Sequence, residues 1–237
     1  MRQIAEKVQT LSPGQIFGYQ ELSISPTQFA AAAAALSRLA KEGLIIRHAR
    51  RRYYRPIVSR FGVLKPTENA VIASLSPQKG ANQVYATGPT LYHKLGLTTQ
   101  VPNLVTLATP RPLRHLPRHL RAVVRPTPER AEDVLLLQWL EVLRDVGRIP
   151  DTSPDRVVQQ VRQGLTALNP AQLVRLVELA CQQAPPRARA LLGAILELSQ
   201  ANHTQVNSLR QTLNPLTRYR LGIRENSLPD RSAWHIQ

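Results

Sequence analysis

Six arginines and no carboxylate stand between Arg47 and Arg60. Guanidinium groups at that density suit a polyanion, because each can hold phosphate oxygens through two parallel hydrogen bonds. The residues just upstream, SPTQFAAAAAALSRLAKEG, must position them. Ser25 can cap a helix there, Pro26 suits its first position, and Gln28 completes a Ser-x-x-Gln capping box. Gly43 ends the helix. Phe29, Ala33, Leu36 and Ala40 fall on one face with Leu39 beside it, which leaves Thr27, Ala31, Ala34 and Arg38 opposite. On a recognition helix lying in a major groove, Thr27 and Gln28 would meet base edges. Ala31 would touch a thymine methyl, and Arg38 would reach a phosphate or a guanine.

Residues 44–47 and 53–58 follow as two strands, with 49–52 as the tip between them. A plain-faced helix leading into a basic hairpin is the sequence form of a winged helix-turn-helix. Arg47, Arg50, Arg51, Arg52 and Arg55 would grip the DNA backbone. Tyr53 and Tyr54 alternate, so one packs on the core while the other, Tyr54 in the candidate set, touches the backbone. Affinity would come from phosphates more than from bases, since the reading face is mostly alanine. The same residues also fit an ordinary buried helix beside a solvated basic hairpin.

Net charge narrows the choice of partner. The chain has 237 residues and a formal charge of +16. Residues 1–65 carry 11 basic against 3 acidic residues and residues 66–130 carry 8 against 2, while the rest is nearly balanced at 12 against 10. A field confined to the first half favours nucleic acid over general solubility. Arg111, Arg114, Arg118, Arg121 and Arg125 form a second basic surface within it. It could extend a DNA surface or meet an acidic or RNA partner.

Catalytic chemistry is thinly represented. The sequence has no Gly-rich phosphate loop, no G-x-S-x-G and no Cys-x-x-Cys. His115 and His119 have the i, i+4 spacing of two metal ligands, but Pro117 separates them and the surroundings are basic. A metal-dependent nuclease needs clustered acids, and the first 130 residues hold five, dispersed. The expectation is a protein without cofactor or metal that is not an enzyme. A nucleic-acid-processing enzyme, and a protein-interaction module with weak DNA binding, are the alternatives. Cys181 is the only cysteine, which suits a reducing compartment. No stretch approaches the roughly 20 apolar residues of a membrane span. A cytoplasmic protein with no membrane partner is expected.

The remaining pattern divides the chain into residues 1–65, 66–126, 127–200 and 201–237. The first unit opens with a helix over 2–11, a short strand at 15–17 and a short helix at 19–22. The second combines helices at 67–75 and 89–95 with strands at 82–86, 104–108 and 121–125, and a turn at 76–80. The third is helical, because Thr127-Pro128, Ser153-Pro154 and Asn169-Pro170 each pair a capping residue with proline at the first helical position. They predict helices over 128–146, 154–168 and 170–183, and Pro185-Pro186 starts a fourth that reaches 199. The tail is polar, with a strand at 219–223 and Trp234 as an anchor. The expected fold is α+β and mostly helical: an N-terminal winged helix-turn-helix, a small mixed α/β middle unit and a C-terminal helical bundle.

Several motifs carry a family resemblance. ATGPTLYHKLGLTTQVPNLVTLAT, SRLAKEGLIIRHARRRYYRP, VLRDVGRIPDTSPDRVV, PPRARALLGAILE and the closing LPDRSAWHI together span nearly the whole chain. They resemble the AbiEi-type antitoxins, the transcriptional regulators of type IV, abortive-infection toxin–antitoxin systems used in phage defence. The resemblance implies a winged domain that binds double-stranded DNA at its own promoter and represses it. It implies a second domain with the antitoxin function, opposing a nucleotidyltransferase-like toxin in a way that does not require a stable complex. Family members usually carry a glycine between the last wing arginines and the tyrosine, where this chain reads Arg51-Arg52-Tyr53.

Overall fold

Short strands and helices alternate as far as residue 124, and helices dominate from there to residue 211. The computed structural model describes residues 2–75, 84–113, 116, 118–128, 130–200 and 203–237, with backbone alone for Arg2, Gln3 and Glu68. It is α+β, with nine helices and three small sheets among the described residues.

The N-terminal unit comprises α1 (Arg2–Thr10), β1 (Ile16–Phe17), α2 (Phe29–Lys41), β2 (Ile46–Ala49) and β3 (Arg52–Tyr54). β3 lies between β1 and β2 in an antiparallel sheet, with Tyr54 opposite both Ile16 and Ile46. Val8, Phe17, Leu22, Leu36, Ile45 and Tyr53 form its core. Two sequence expectations fail here. Residues 19–23 form turns where a short helix was expected. The Ser25 capping box does not form, because residues Pro26–Gln28 tighten into a 3₁₀ turn and the Ser25 hydroxyl meets that of Thr27 at 2.8 Å.

The strand expected over 53–58 breaks at Pro56, which has no N–H to give a ladder. Past the break, β4 (Ile57–Ser59) and β5 (Gly62–Leu64) pair only with each other. Gly62 turns this ribbon at φ +105°, a conformation that side chains avoid. Ile57 rests against Gly14, whereas Val58 is 76% and Phe61 85% exposed. The Arg60 guanidinium lies 4.7 Å from the Phe61 ring centroid.

The middle segment holds α3 (Glu68–Leu75), β6 (Tyr85–Ala86), α4 (Gly88–Lys94), β7 (Val105–Thr109) and β8 (Leu120–Val124). β7 is central, antiparallel to β6 and parallel to β8. Of the strand expected over 82–86, residues 82 and 83 lie outside the described residues, as does the turn expected at 76–80. Gly88, at φ +57°, lets the chain turn from β6 into α4. Thr90 then locks α4 to β7 by accepting a hydrogen bond from the Thr106 amide at 2.8 Å.

Five helices complete the chain: α5 (Asp133–Arg144), α6 (Pro154–Thr166), α7 (Pro170–Gln183), α8 (Pro186–Leu198) and α9 (His203–Gln211). Ser153 caps α6, and Asn169 and Gln172 make a full reciprocal capping box on α7. Thr127-Pro128 starts no helix; the chain has no regular structure there and α5 begins at Asp133. α9 occupies part of the polar tail, held by buried Val206 and Leu209. The strand expected over 219–223 is a single bridge from Tyr219 to Ile236. Trp234 does anchor the tail, 1% exposed, with its indole N–H donated to Glu197.

One hydrophobic cluster runs from Tyr85, Leu91 and Ala108 of the middle segment through Trp139, Val161 and Leu191 of the helices to Trp234. The middle sheet and the helices therefore share a core. A smaller cluster of Ile16, Tyr54, Val71 and Leu120 joins this body to the N-terminal sheet. No helix among the described residues is long and apolar enough to cross a membrane.

The two tryptophan rings pack closely against helical glycines. A Cβ at Gly164 would overlap the Trp139 ring, and one at Gly193 the Trp234 ring. Gly164→Ala and Gly193→Ala are each expected to lower stability by about 1–3 kcal/mol or more, as overpacked cores do. Helix propensity alone predicts the opposite sign. Urea denaturation followed by circular dichroism decides between them.

Candidate nucleic-acid interface

The outward face of α2 and the turn before it holds Thr27, Gln28, Ala31, Ala34 and Arg38, all exposed, as the spacing predicted. Ala32, Ala35 and Leu36 are buried beneath. No acidic residue lies between positions 27 and 41. The 3₁₀ turn places Thr27 and Gln28 just ahead of the regular helix, at its positive end.

The β2–β3 hairpin, next in the chain, carries the arginines. Its register slips between Arg47 and Ala49, so His48 sits in an irregularity of the ladder. Arg51 turns the tip with φ +59°. That is the left-handed region where glycine is at ease. Arg47, Arg50 and Arg51 are exposed.

Three of the expected contacts are occupied elsewhere. Arg52 donates to Glu21 at 2.9 Å. Burial pushes the Glu21 carboxyl up, but backbone N–H donors, including Gly18 at 2.8 Å, and the Arg52 charge hold it below its ordinary range. Arg55 donates to the carbonyls of Gln9 and Leu11 at 2.8 and 2.7 Å, tying the end of α1 to the sheet. Tyr54 is 5% exposed and packs with Ile16, Val71 and Leu120, so it cannot lie along a DNA backbone. Both tyrosines point into cores, because the two faces of this small sheet are each covered.

The second basic surface is only partly assembled. Arg111, Arg118 and Arg121 are exposed. Arg114 lies outside the described residues, as does His115 of the His115–His119 pair. Arg125 turns inward to Glu141, 3.2 Å away. Glu141 also pairs with Arg144 and accepts from the Thr87 hydroxyl. Sequence reasoning missed both acidic partners, Glu21 and Glu141. They lie 31 and 16 residues from the arginines they hold, and no local pattern announces such a pair.

Sequence reasoning also missed that the two basic stretches meet. The His48 ring packs edge-on to His119, with centroids 5.6 Å apart. Burial, and then the charge of His119, lower the pKa of His48 from its ordinary 6.5.

Fold and surface together define an α+β protein that presents a helix face without acids and an exposed arginine-tipped hairpin. The chain belongs to DUF6088, a family of unknown function, whose profile matches residues 3–122. A comparison with curated proteins found no match. Among solved structures it is similar to the RV2827C protein from Mycobacterium tuberculosis at 13% identity, covering 92% of this chain and 83% of that one, with a TM-score of 0.42.

Two outcomes follow from these contacts. Arg55→Ala should cost about 1–3 kcal/mol of stability, the usual worth of charge-assisted hydrogen bonds. Arg50→Ala and Arg51→Ala should stay within about 0.5 kcal/mol of wild type, as exposed positions do. Parallel urea titrations compare them. For His48, a lowered folded-state pKa means that its contribution is fully present above 6.5 and is lost as pH falls from 6.5 toward the folded value. Unfolding free energies measured between about pH 5 and 7.5 should therefore decline on the acid side. His48→Gln should flatten that decline.

Proposed function

We propose that this protein is a DNA-binding transcriptional regulator that represses its own promoter. In this reading it serves as the antitoxin of a type IV, abortive-infection-like system in the cytoplasm. The single observation that carries the DNA-binding part is the placement of Arg47, Arg50 and Arg51. They are exposed, without a carboxylate partner among the described residues, on the hairpin that follows α2 and its acid-free face in the chain. The order of α1, the 19–23 turns, α2 and the β1-β3-β2 sheet supports a winged helix-turn-helix, with turns standing where its middle helix would be.

In that arrangement the outer face of α2 enters the major groove and the hairpin lies on the neighbouring backbone. Thr27 and Gln28 sample base edges, Ala31 and Ala34 offer small apolar contacts, and Arg38 supplies a longer reach. Arg47, Arg50 and Arg51 neutralise phosphates. Arg52 and Arg55 contribute to the field but spend their hydrogen bonds on the protein. Arg111, Arg118 and Arg121 extend the basic surface. The antitoxin part rests on the motif resemblance, and its functional partner would be a nucleotidyltransferase-like toxin.

Electrophoretic retardation of DNA from upstream of the gene, titrated with salt, tests the reading. Each neutralised phosphate contributes about 0.9 to the slope of log affinity against log salt. The triple variant Arg47→Ala, Arg50→Ala, Arg51→Ala should lower that slope by about 2–3 and bind weakly at all sequences. Unchanged retardation by the triple variant would sink the hairpin as the gripping element. Rescue of growth during expression of the neighbouring toxin tests the antitoxin part separately.

A further inference from the structure

A cleft of about 250 Å³ opens where the β2–β3 hairpin meets α3 and β8. Its floor is apolar: Val71 and Leu75 from α3, Leu120 from β8, and Leu113 and Leu116 from the segment before β8. Its hairpin side is basic, formed by His48, Arg50 and Arg52. No carboxylate lines it among the described residues. Arg52 is already paired with Glu21, and His48 is flanked by His119, so Arg50 is the cation with no partner among the described residues.

We infer that this cleft binds a small monoanion with a compact apolar body, of the medium-chain or aromatic carboxylate class. The apolar part would lie on Leu75, Leu116 and Leu120, and the carboxylate would accept from the Arg50 guanidinium at the mouth. Three features select this class. Apolar walls with one or two placed polar groups are the usual make-up of small-molecule sites, and junctions between units are their usual place. The volume falls below the roughly 300–1,000 Å³ of drug-sized pockets, so the ligand is small. A cationic rim with no acid beside it among the described residues disfavours cations and rewards negative charge, and one unpartnered guanidinium matches one carboxylate.

The ligand would have a consequence at the DNA surface, and this part rests on the function proposed above. A carboxylate on Arg50 would take up donors and offset charge that a phosphate outside the cleft would otherwise use. An occupied cleft also adds a negative charge beside the hairpin. Ligand and DNA would therefore weaken each other, and by the same factor.

Isothermal titration calorimetry of the full chain without DNA tests the cleft itself, with octanoate as the probe. Octanol keeps the body without the charge, and acetate keeps the charge without the body. Octanoate should bind at a single site, at least about tenfold more tightly than either control, a difference of about 1.4 kcal/mol. Arg50→Ala should remove most of the preference for octanoate over octanol, and Leu116→Glu should abolish binding of both. Circular dichroism checks that each variant is folded. Should octanoate fail to bind, bind no better than octanol, or bind both variants unchanged, the cleft assignment is wrong. Retardation of DNA with and without octanoate then tests the coupling. If octanoate binds but leaves retardation unchanged, the site stands and the coupling falls. If DNA does not bind at all, the proposed function fails and the calorimetric result is untouched.

Discussion

Glu141 must keep a carboxylate where little water can reach it. Its side chain is 6% exposed, at the meeting point of α5, the turn before α4 and the end of β8. Burial pushes its pKa up, and the charges of Arg144 and Arg125 only partly offset that push. Removing one partner from such a group commonly costs about 3–5 kcal/mol, because the charge left behind is uncompensated. The arrangement fixes three segments at once: Thr87 through its hydroxyl, Arg125 through its guanidinium, and the last turn of α5 through Arg144. Tyr92 adds a fourth tie, donating to Asp145 at 2.9 Å, and Gln138 a fifth, donating to the Ala86 carbonyl. The middle sheet is thus held against α5 by directional bonds as well as by the shared apolar core.

From this anchored body the N-terminal unit is reached through a narrower contact. Ile16 and Tyr54 of the sheet meet Val71 and Leu120, a cluster far smaller than the cores on either side. The hairpin that carries the exposed arginines is an extension of the same sheet. Its position relative to the rest of the molecule depends on those few side chains and on the His48–His119 contact. Packed interiors shift between discrete arrangements more readily than they stretch. A perturbation at this junction would therefore move the hairpin as a unit.

The sequence was most legible where chemistry was local. The caps at Ser153 and Asn169 marked the starts of α6 and α7, and the outer face of α2 followed from its period. Legibility failed where distant residues decided the outcome. Two other failures were local: the Ser25 cap lost to a 3₁₀ turn, and Thr127-Pro128 began no helix. Arg52, Arg55 and Arg125 looked like free cations because the sequence does not show that Glu21, the end of α1 and Glu141 lie beside them. Proline was the most informative single residue type, yet it was misjudged at Pro128 and at Pro56. Pro56 should have divided the 53–58 strand, and the ribbon beyond it follows directly from that division. The helix α9 was hidden by composition: its two buried anchors, Val206 and Leu209, are set in an otherwise polar run.

The packing of aromatic rings also makes the molecule optically lopsided. Both tryptophans, Trp139 and Trp234, lie in the shared core of the middle sheet and helices. All three phenylalanines and three of the six tyrosines lie in the first 65 residues, which contain no tryptophan. Indole emission therefore reports on the helical body alone, while phenol emission is divided between the two halves. If the N-terminal unit melts before the body it is docked on, it will do so without changing the tryptophan signal.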